Sequence, residues 1–400
     1  MLAYPSLAGY NDAEKTEATI RFRGEIAMSK TVICAGHICL DITPVFDGKR
    51  RVQAVGDLLE PGKLIDTHGV SVHTGGSVAN TGLATKLLGC DVRLMGKVGD
   101  DAFGSMIREI LASYGAGGLI VDGSSESSYS VVLAIPGIDR IFLHDPGAND
   151  SFRPEDIPWE ALSDAALFHF GYPPLMKQMY QDGGENLRTI FRRAGEYGCA
   201  TSLDMAAVDP QSEAGRADWR AILEKTLPYV DFFVPSFEEL LWMLDRETWE
   251  RLGDGGDDMT AALDLPRFAA PLAEKCIAMG CGAVLIKCGL SGMYLQTAGQ
   301  ERLRKTGRAL ALDAEKWADQ CVIQPCFEAE IVRSATGAGD VSIAAFLTAV
   351  LRGEGPERCT ALSAAEGATS VAGIDALSGI LPLDECARRI DAGWKTRGRS

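Results

Sequence analysis

Short apolar runs rich in β-branched residues alternate with stretches of helical period from Thr31 onward, and this alternation constrains the fold more than any other feature. The runs at 31–35, 92–98, 166–170, 200–203, 231–234 and 283–287 are too short for ordinary helices, and they are as continuously apolar as strands buried on both faces. Between them, Phe103, Ile107, Ile110 and Leu111 fall at i, i+4, i+7 and i+8, as do Ile343, Leu347, Val350 and Leu351. Each set forms one apolar stripe that would pack on a sheet. Repeated βαβ units of this kind predict an α/β fold with a mainly parallel sheet covered on both faces.

Two stretches break the rhythm. Residues 43–74 and 119–145 carry short alternating runs interrupted by Gly, Pro and Asp, the pattern of small antiparallel strands and turns. Insertions after early strands of an open α/β sheet lie near the carboxyl ends of the strands, where ligands bind, so both are lid candidates. The core is then expected at 28–42, 75–118 and 146–400. Residues 1–27 hold Asp12, Glu14, Glu17 and Glu25 and have no apolar h-region; they read as a disordered extension rather than a secretory signal. Met28 opens a segment, MSKTVICAG, that reads like a natural domain start. The polar, Gly-rich residues 245–268 read as a solvated loop, because the twelve-residue ligand spacing of a calcium loop is absent.

The formal net charge of −16 repels polyanions, and no basic run interleaved with aromatics offsets it. Nucleic acid and anionic membrane surfaces are therefore not expected partners. A bound nucleotide would have to be held by local devices: backbone N–H groups, helix N-termini, a few cations and a metal. Eleven cysteines form no C-x-x-C pair or matched Cys/His spacing, which fits reduced thiols in a cytoplasmic protein. No apolar run approaches the ~18 residues that would span a bilayer.

Within those limits, Ser334-Ala335-Thr336-Gly337-Ala338-Gly339-Asp340 carries the most chemistry. It lies between a strand-like segment at 327–332 and a helix beginning near Val341. Glycines at such a junction let consecutive N–H groups and the positive helix end converge on one spot, an anion hole suited to a phosphoryl group. Asp340 at its edge could orient a hydroxyl and take its proton, or simply cap the helix. A second constellation runs from His73-Thr74-Gly75-Gly76-Ser77-Val78-Ala79-Asn80 to Gly96-Lys97-Val98-Gly99-Asp100-Asp101-Ala102-Phe103-Gly104. Paired glycines before a helix let a ligand approach the backbone, and Asn80 offers donor and acceptor to a hydroxyl-rich substrate. Asp41, read as lying at the end of the first strand, can accept two hydroxyls.

Together, the Gly75-Gly76 helix, the 96–104 stretch and the Thr336 to Asp340 motif resemble the PfkB, or ribokinase-like, carbohydrate kinase family over nearly the whole chain from Met28. The resemblance implies a Rossmann-like three-layer core with a β-sheet lid, and ATP-dependent, Mg2+-dependent phosphorylation of a hydroxyl on a small sugar-like substrate. Asp340 would be the catalytic base, with the backbone of Gly337, Ala338 and Gly339 as anion hole and Asp41, Gly75, Gly76 and Asn80 holding substrate hydroxyls. Lys287, Gly289, Ser291 and Gly292, in Lys287-Cys288-Gly289-Leu290-Ser291-Gly292, are similar to the turn that receives ATP, along with Thr336. Pro235-Ser236-Phe237-Glu238-Glu239 looks like the family's P-N-x-x-E element, which puts Glu239 near the magnesium, with Ser236 where Asn is usual. Pro146-Gly147-Ala148-Asn149 resembles the return of the lid to the core. Ser334 replaces an acidic residue that helps hold a monovalent cation, so potassium activation is not expected.

The substrate is left open. A nucleoside would want aromatic walls, and the lid stretches supply only Phe46, Tyr129 and Phe142; a sugar phosphate would want cations such as Lys49, Arg50, Arg51 and Arg140. Sugar is the favoured class, with nucleoside kinase, sugar-phosphate kinase and a catalytically silent binding protein as alternatives. His144 and His169 are assigned packing or surface roles, and a homodimer through the lid is a further expectation.

Overall fold

The computed structural model describes residues 30–48, 51–138, 140–253 and 259–397. The proposed extension at 1–27, Met28, Lys49, Arg50 and most of the Gly/Asp run at 253–258 lie outside the described residues. Strands follow in chain order as β1 (Thr31–Gly36), β2 (Cys39–Pro44), β3 (Val70–Gly75), β4 (Asp91–Met95), β5 (Lys97–Gly99), β6 (Ile120–Asp122) and β7 (Tyr129–Leu133). They continue as β8 (Ile141–Asp145), β9 (Ala165–Gly171), β10 (Ala200–Leu203), β11 (Phe232–Phe233), β12 (Ala283–Lys287), β13 (Met293–Thr297) and β14 (Cys321–Gln324). Eight of them form one sheet in the order β14-β13-β12-β11-β10-β9-β1-β4. All neighbours are parallel except at β13, which runs antiparallel to both β12 and β14.

The period of two along the strands builds two cores. In β1, Val32 and Cys34 face one core and Ile33 and Ala35 the other. The first is closed by α1 (Ser77–Leu87), α2 (Ala102–Ser113) and helices near the C-terminus; the second by α3 (Glu185–Glu196), α4 (Phe237–Leu244) and α5 (Leu265–Ala278). On the first side α6 (Ala338–Leu351), α7 (Pro356–Ser370) and α8 (Leu383–Asp391) complete the layer. The result is the expected three-layer α/β core.

Several expectations need correction. The single strand read at 92–98 is divided at Gly96, and its second half pairs with β6 in a separate two-stranded sheet. The segment 327–332 forms no strand; after the bridge from Phe327 to Thr396, Ile331 and Val332 are exposed and pair with no strand among the described residues. The stripe of α6 is exceeded, since every residue from Asp340 to Leu351 is buried, as a helix enclosed by neighbours requires. Residues Arg246–Gly253 of the supposed loop form a helix, anchored where Trp249 meets Trp242 edge-on at a centroid distance of 4.7 Å.

The smaller sheet has the order β3-β2-β7-β8. Asp41 is therefore within a lid strand rather than at the end of the first strand. Asn149 pins the lid's return to the core: fully buried, its side chain accepts from the Ile38 N–H at 3.1 Å and donates to the Ile38 carbonyl at 2.9 Å. Phe46, Val52, Leu58, Ile65 and Ile135 give the lid a small apolar core of its own.

Glu366, fully buried on α7, accepts from the Cys386 thiol, the Thr369 hydroxyl and the Leu381 N–H. Burial pushes its pKa up to about 7, with those donors opposing. A folded-state pKa above the unfolded value (about 4.3) means that its contribution is fully present below pH ~4 and is lost as pH rises through 7. Chemical denaturation of wild type and Glu366→Gln should therefore diverge between pH 4 and 8, by an amount of order 3 kcal/mol in favour of Gln at the alkaline end. A pH-independent difference would remove Glu366 as the titrating group.

Candidate active site

The site forms where the carboxyl ends of the parallel strands meet the lid. Asp340 stands in the first turn of α6, three residues past the N-cap Gly337, and its carboxylate is bonded to side chains of other elements. It is buried and accepts from Thr81 Oγ1 at 2.7 Å, Tyr172 OH at 2.8 Å and Asn80 Nδ2 at 3.2 Å. Two of these donors come from α1, so the segments carrying the two sequence motifs meet on one carboxylate. Asn80, expected as a substrate contact, is here a support of Asp340.

Gly337 has φ 74°, and a Cβ there would lie 2.4 Å from that of Ala376; this left-handed turn suits glycine. It lets the chain turn into α6, where the Ala338 N–H is used within the turn, donating to the Ala335 carbonyl at 3.3 Å, so that of the three expected anion-hole donors Ala338 is already engaged. Thr336 accepts from the Ser334 hydroxyl at 3.0 Å and from Arg140 of the lid. Arg140, which the sequence marked only as a charge for a sugar phosphate, thus ties the small sheet to the loop before α6.

A Cβ on Gly339 would meet the Lys287 stem at 3.6 Å, so the Lys287 side chain passes beside the turn that opens α6. Its ammonium donates to Asp204 Oδ1 at 2.8 Å and to the Val234 carbonyl at 2.5 Å. Burial pushes Asp204 up to about 8; Lys287 opposes this, while Glu239 and Asp340 reinforce it. For Lys287, burial acts to lower the pKa, but Asp204 and Glu239 outweigh it and the net shift is upward. The lysine stays cationic.

Glu239, half-buried, accepts from the Ser236 N–H at 2.8 Å, tying the helix start while its charge is felt at Lys287, Asp204 and Tyr172. In the turn after β12, Ser291 donates to the Thr260 carbonyl at 2.6 Å and accepts from the Leu263 N–H at 2.7 Å. That hydroxyl anchors a neighbouring segment. Gly289 and Gly292 pack against Thr260 and the Gln324 carbonyl so closely that a Cβ would collide.

Gly75 lies against Asp41, and a Cβ there would come within 2.3 Å of Oδ2. Burial raises the Asp41 pKa, hydrogen bonds from Cys39 and Ser130 oppose it, and Asp340 is near enough to add to the rise. Gly76, at φ 85°, begins α1 against His37.

Sequence reasoning missed Thr81, Tyr172, Asp204 and His37. Asp204 had a usable signal: it is an acidic residue just beyond the carboxyl end of a parallel strand. Tyr172 had none, since its left-handed backbone (φ 66°) is not a tyrosine preference. His169 is a packing residue as expected, fully buried between the Ser77 and Ser202 hydroxyls at 3.2 and 3.0 Å.

The match to the family model described as "pfkB family carbohydrate kinase" covers residues 31–381. The chain belongs to the PfkB carbohydrate kinase family. Its relatives include a fructokinase-1 of Zea mays, 26% identical over 41% of this chain and 48% of that one, and a probable fructokinase-3 of Arabidopsis thaliana, 25% identical over 55% and 60%. The matched segments thus span about half the length of the plant fructokinases. An uncharacterized sugar kinase of Archaeoglobus fulgidus is 25% identical over 68% of this chain and 88% of its own. Among solved structures, a fructokinase from Xylella fastidiosa with bound ATP superposes with a TM-score of 0.67 at 19% identity, covering 91% of this chain and 99% of its own. An Arabidopsis thaliana ribokinase complexed with ribose and ATP gives 0.65 at 19% identity, covering 90% and 98%. The PfkB chain described here therefore has the ribokinase-like fold. Among the described residues no helix is long and apolar enough to cross a membrane.

Proposed function

We propose that this protein transfers the γ-phosphoryl group of ATP to a hydroxyl of a small sugar. The observation that carries the reading is Asp340: its carboxylate, in the first turn of α6, is held by Thr81, Asn80 and Tyr172. A side chain fixed by neighbours beside a helix N-terminus is preorganised to aim a hydroxyl at a phosphoryl group.

In this reading Asp340 orients the sugar hydroxyl and accepts its proton late, as a loose phosphoryl-transfer transition state permits. The N–H groups at Gly337 and Gly339 receive the transferring oxygens, with the Ala338 N–H bracing the turn through the Ala335 carbonyl, while Lys287 and the lid's Arg140 supply fixed positive charge. Asp41, with Gly75 and Gly76, holds other hydroxyls of the sugar. The turn at Gly289 and Gly292 shapes the ATP cleft, with Ser291 bracing it and Thr336 on the phosphate side.

Among the described residues no group of three or more His, Cys, Asp or Glu side chains is placed to hold a metal alone. The donor set fits a cation carried on the nucleotide phosphates, as Mg2+ is, with Glu239 as the carboxylate beside it. Mg2+ bound in that way supplies charge neutralisation on the phosphates. The hydroxyl of Ser334 is committed to Thr336 and brings no charge to a monovalent cation. Val70, Phe142 and Leu143, exposed on the two edge strands of the lid, are the surface a homodimer through the lid would cover.

Coupled measurement of ADP release with D-fructose, D-ribose, adenosine and fructose 6-phosphate tests the function directly. Sugar-dependent turnover with at least one neutral sugar is expected. Turnover confined to adenosine would give the nucleoside reading, and ATP binding without turnover on any acceptor would give the silent one.

A further inference from the structure

One row of side chains crosses the lid sheet toward Asp340. Strand register pairs His73 with Asp41, Asp41 with Ser130, and Ser130 with His144. Because paired residues share a face of a sheet, the four lie on one side of the lid. Ser130 links its neighbours: its hydroxyl is 3.0 Å from His144 Nδ1 and also bonds the Asp41 carboxylate. The row of Asp41 is therefore longer than the single carboxylate that the sequence suggested.

The ring of His144 faces His37, with centroids 5.2 Å apart. His37 follows β1 and lies under Gly76, where a Cβ would come within 2.6 Å of its Nδ1. On another side it meets the ring of Tyr172 at 6.0 Å, and the Tyr172 hydroxyl is bonded to Asp340. His37 is 1% exposed, and neither ring nitrogen has a hydrogen-bond partner among the described residues. A buried polar group left unpaired is costly and calls for an explanation. Here the explanation lies in the position of the ring, between the substrate-side glycine and the lid.

Resting on the sugar-kinase reading above, we propose that His144, held by Ser130 on the row of Asp41 and facing the unpartnered His37, reads a hydroxyl of the substrate other than the one phosphorylated. The substrate class this selects is a neutral polyol or sugar, not a sugar phosphate. Burial holds His37 well below the ordinary His range, with His144 adding to the effect. His144 is exposed by surface area, yet partial burial of its ring lowers its pKa as well. A neutral imidazole presents one N–H and one lone pair, which match a hydroxyl and offer no charge to a phosphate. The row and its ring partners contain one carboxylate and no Lys or Arg. Since His144 belongs to a lid strand while Asp340 belongs to the core, recognition by His144 also requires the lid to be closed.

The test compares wild type, His144→Leu and His144→Gln in steady-state kinetics with D-fructose, D-ribose and their 6- and 5-phosphates, with melting temperatures alongside. Because His144 is exposed, the Leu variant should melt like wild type and keep its KM for ATP. Its KM for the preferred sugar should rise about ten-fold, the scale of one lost hydrogen bond, whereas Gln, which keeps a donor and an acceptor, should recover most of that loss. A sugar KM unchanged in the Leu variant, or a Gln variant no better than Leu, overturns the role of His144. Wild-type preference for a sugar phosphate overturns the substrate class. Wild-type inactivity on every acceptor instead removes the kinase reading on which the proposal stands.

Discussion

Asp340→Asn should fold, bind ATP and lose roughly 10²- to 10⁴-fold in kcat, the range for a positioned acid–base group. Size and shape are kept. The Thr81 and Tyr172 hydroxyls, which now donate to Asp340 at 2.7 and 2.8 Å, can rotate to suit an amide because a hydroxyl both donates and accepts. The amide cannot take the proton of the attacking hydroxyl. Since the lost interaction develops mainly in the transition state, kcat and kcat/KM should fall together while the sugar KM changes little. Steady-state kinetics with the preferred sugar, checked against thermal unfolding, decides the matter. An Asn variant that keeps near-full kcat, or that unfolds, would assign Asp340 to holding α1 against α6 and would remove it from the chemistry.

Lys287→Met should lower kcat by about 10²- to 10³-fold, as the loss of one preorganised charge at a developing oxyanion does. The ammonium is fixed beforehand by Asp204 at 2.8 Å and the Val234 carbonyl, so no reorganisation is required during the reaction. The single variant also strands Asp204, which is 2% exposed, and a lower melting temperature is expected because a buried carboxyl group left without its partner is destabilising whether it ionises or takes up a proton. The double variant Lys287→Met/Asp204→Asn separates the two effects. It should regain thermal stability and remain catalytically poor. Recovery of kcat in the double variant would mean that Lys287 merely neutralises Asp204 and acts on no phosphate.

The core strands were legible because each is a continuous apolar run, and burial on both faces of a parallel sheet imposes that pattern. The runs at 200–203 and 283–287 match β10 and β12 residue for residue. Strands β13 and β14 were missed. The edge strand β14, Cys321–Gln324, is exposed or half-buried throughout, so its sequence need not carry the continuous apolar signal. In the site, Gly75, Gly76, Gly337, Gly339 and Asp340 stood out because turns and helix N-termini have strong local residue requirements, whereas Glu239 was marked only by the family resemblance. Thr81, Tyr172 and His37 had no such marks: each is ordinary in its own element, and each becomes informative only beside a residue far away in the chain.

By itself, then, the sequence determined the layered α/β core, the inserted lid and the position of Asp340 behind a glycine turn, because periodicity and turn chemistry are local properties. Only the tertiary structure decided what those parts do to one another. Asp340 takes its three donors from α1 and from the end of β9. Lys287 and Asp204 become a buried pair through strand packing, and Asp41, Ser130 and His144 fall into one row through the register of the lid sheet. Hydrogen bonds and ion pairs of this kind depend on distances of a few ångström between segments separated by tens to hundreds of residues. No local propensity fixes such distances; packing of the whole chain does.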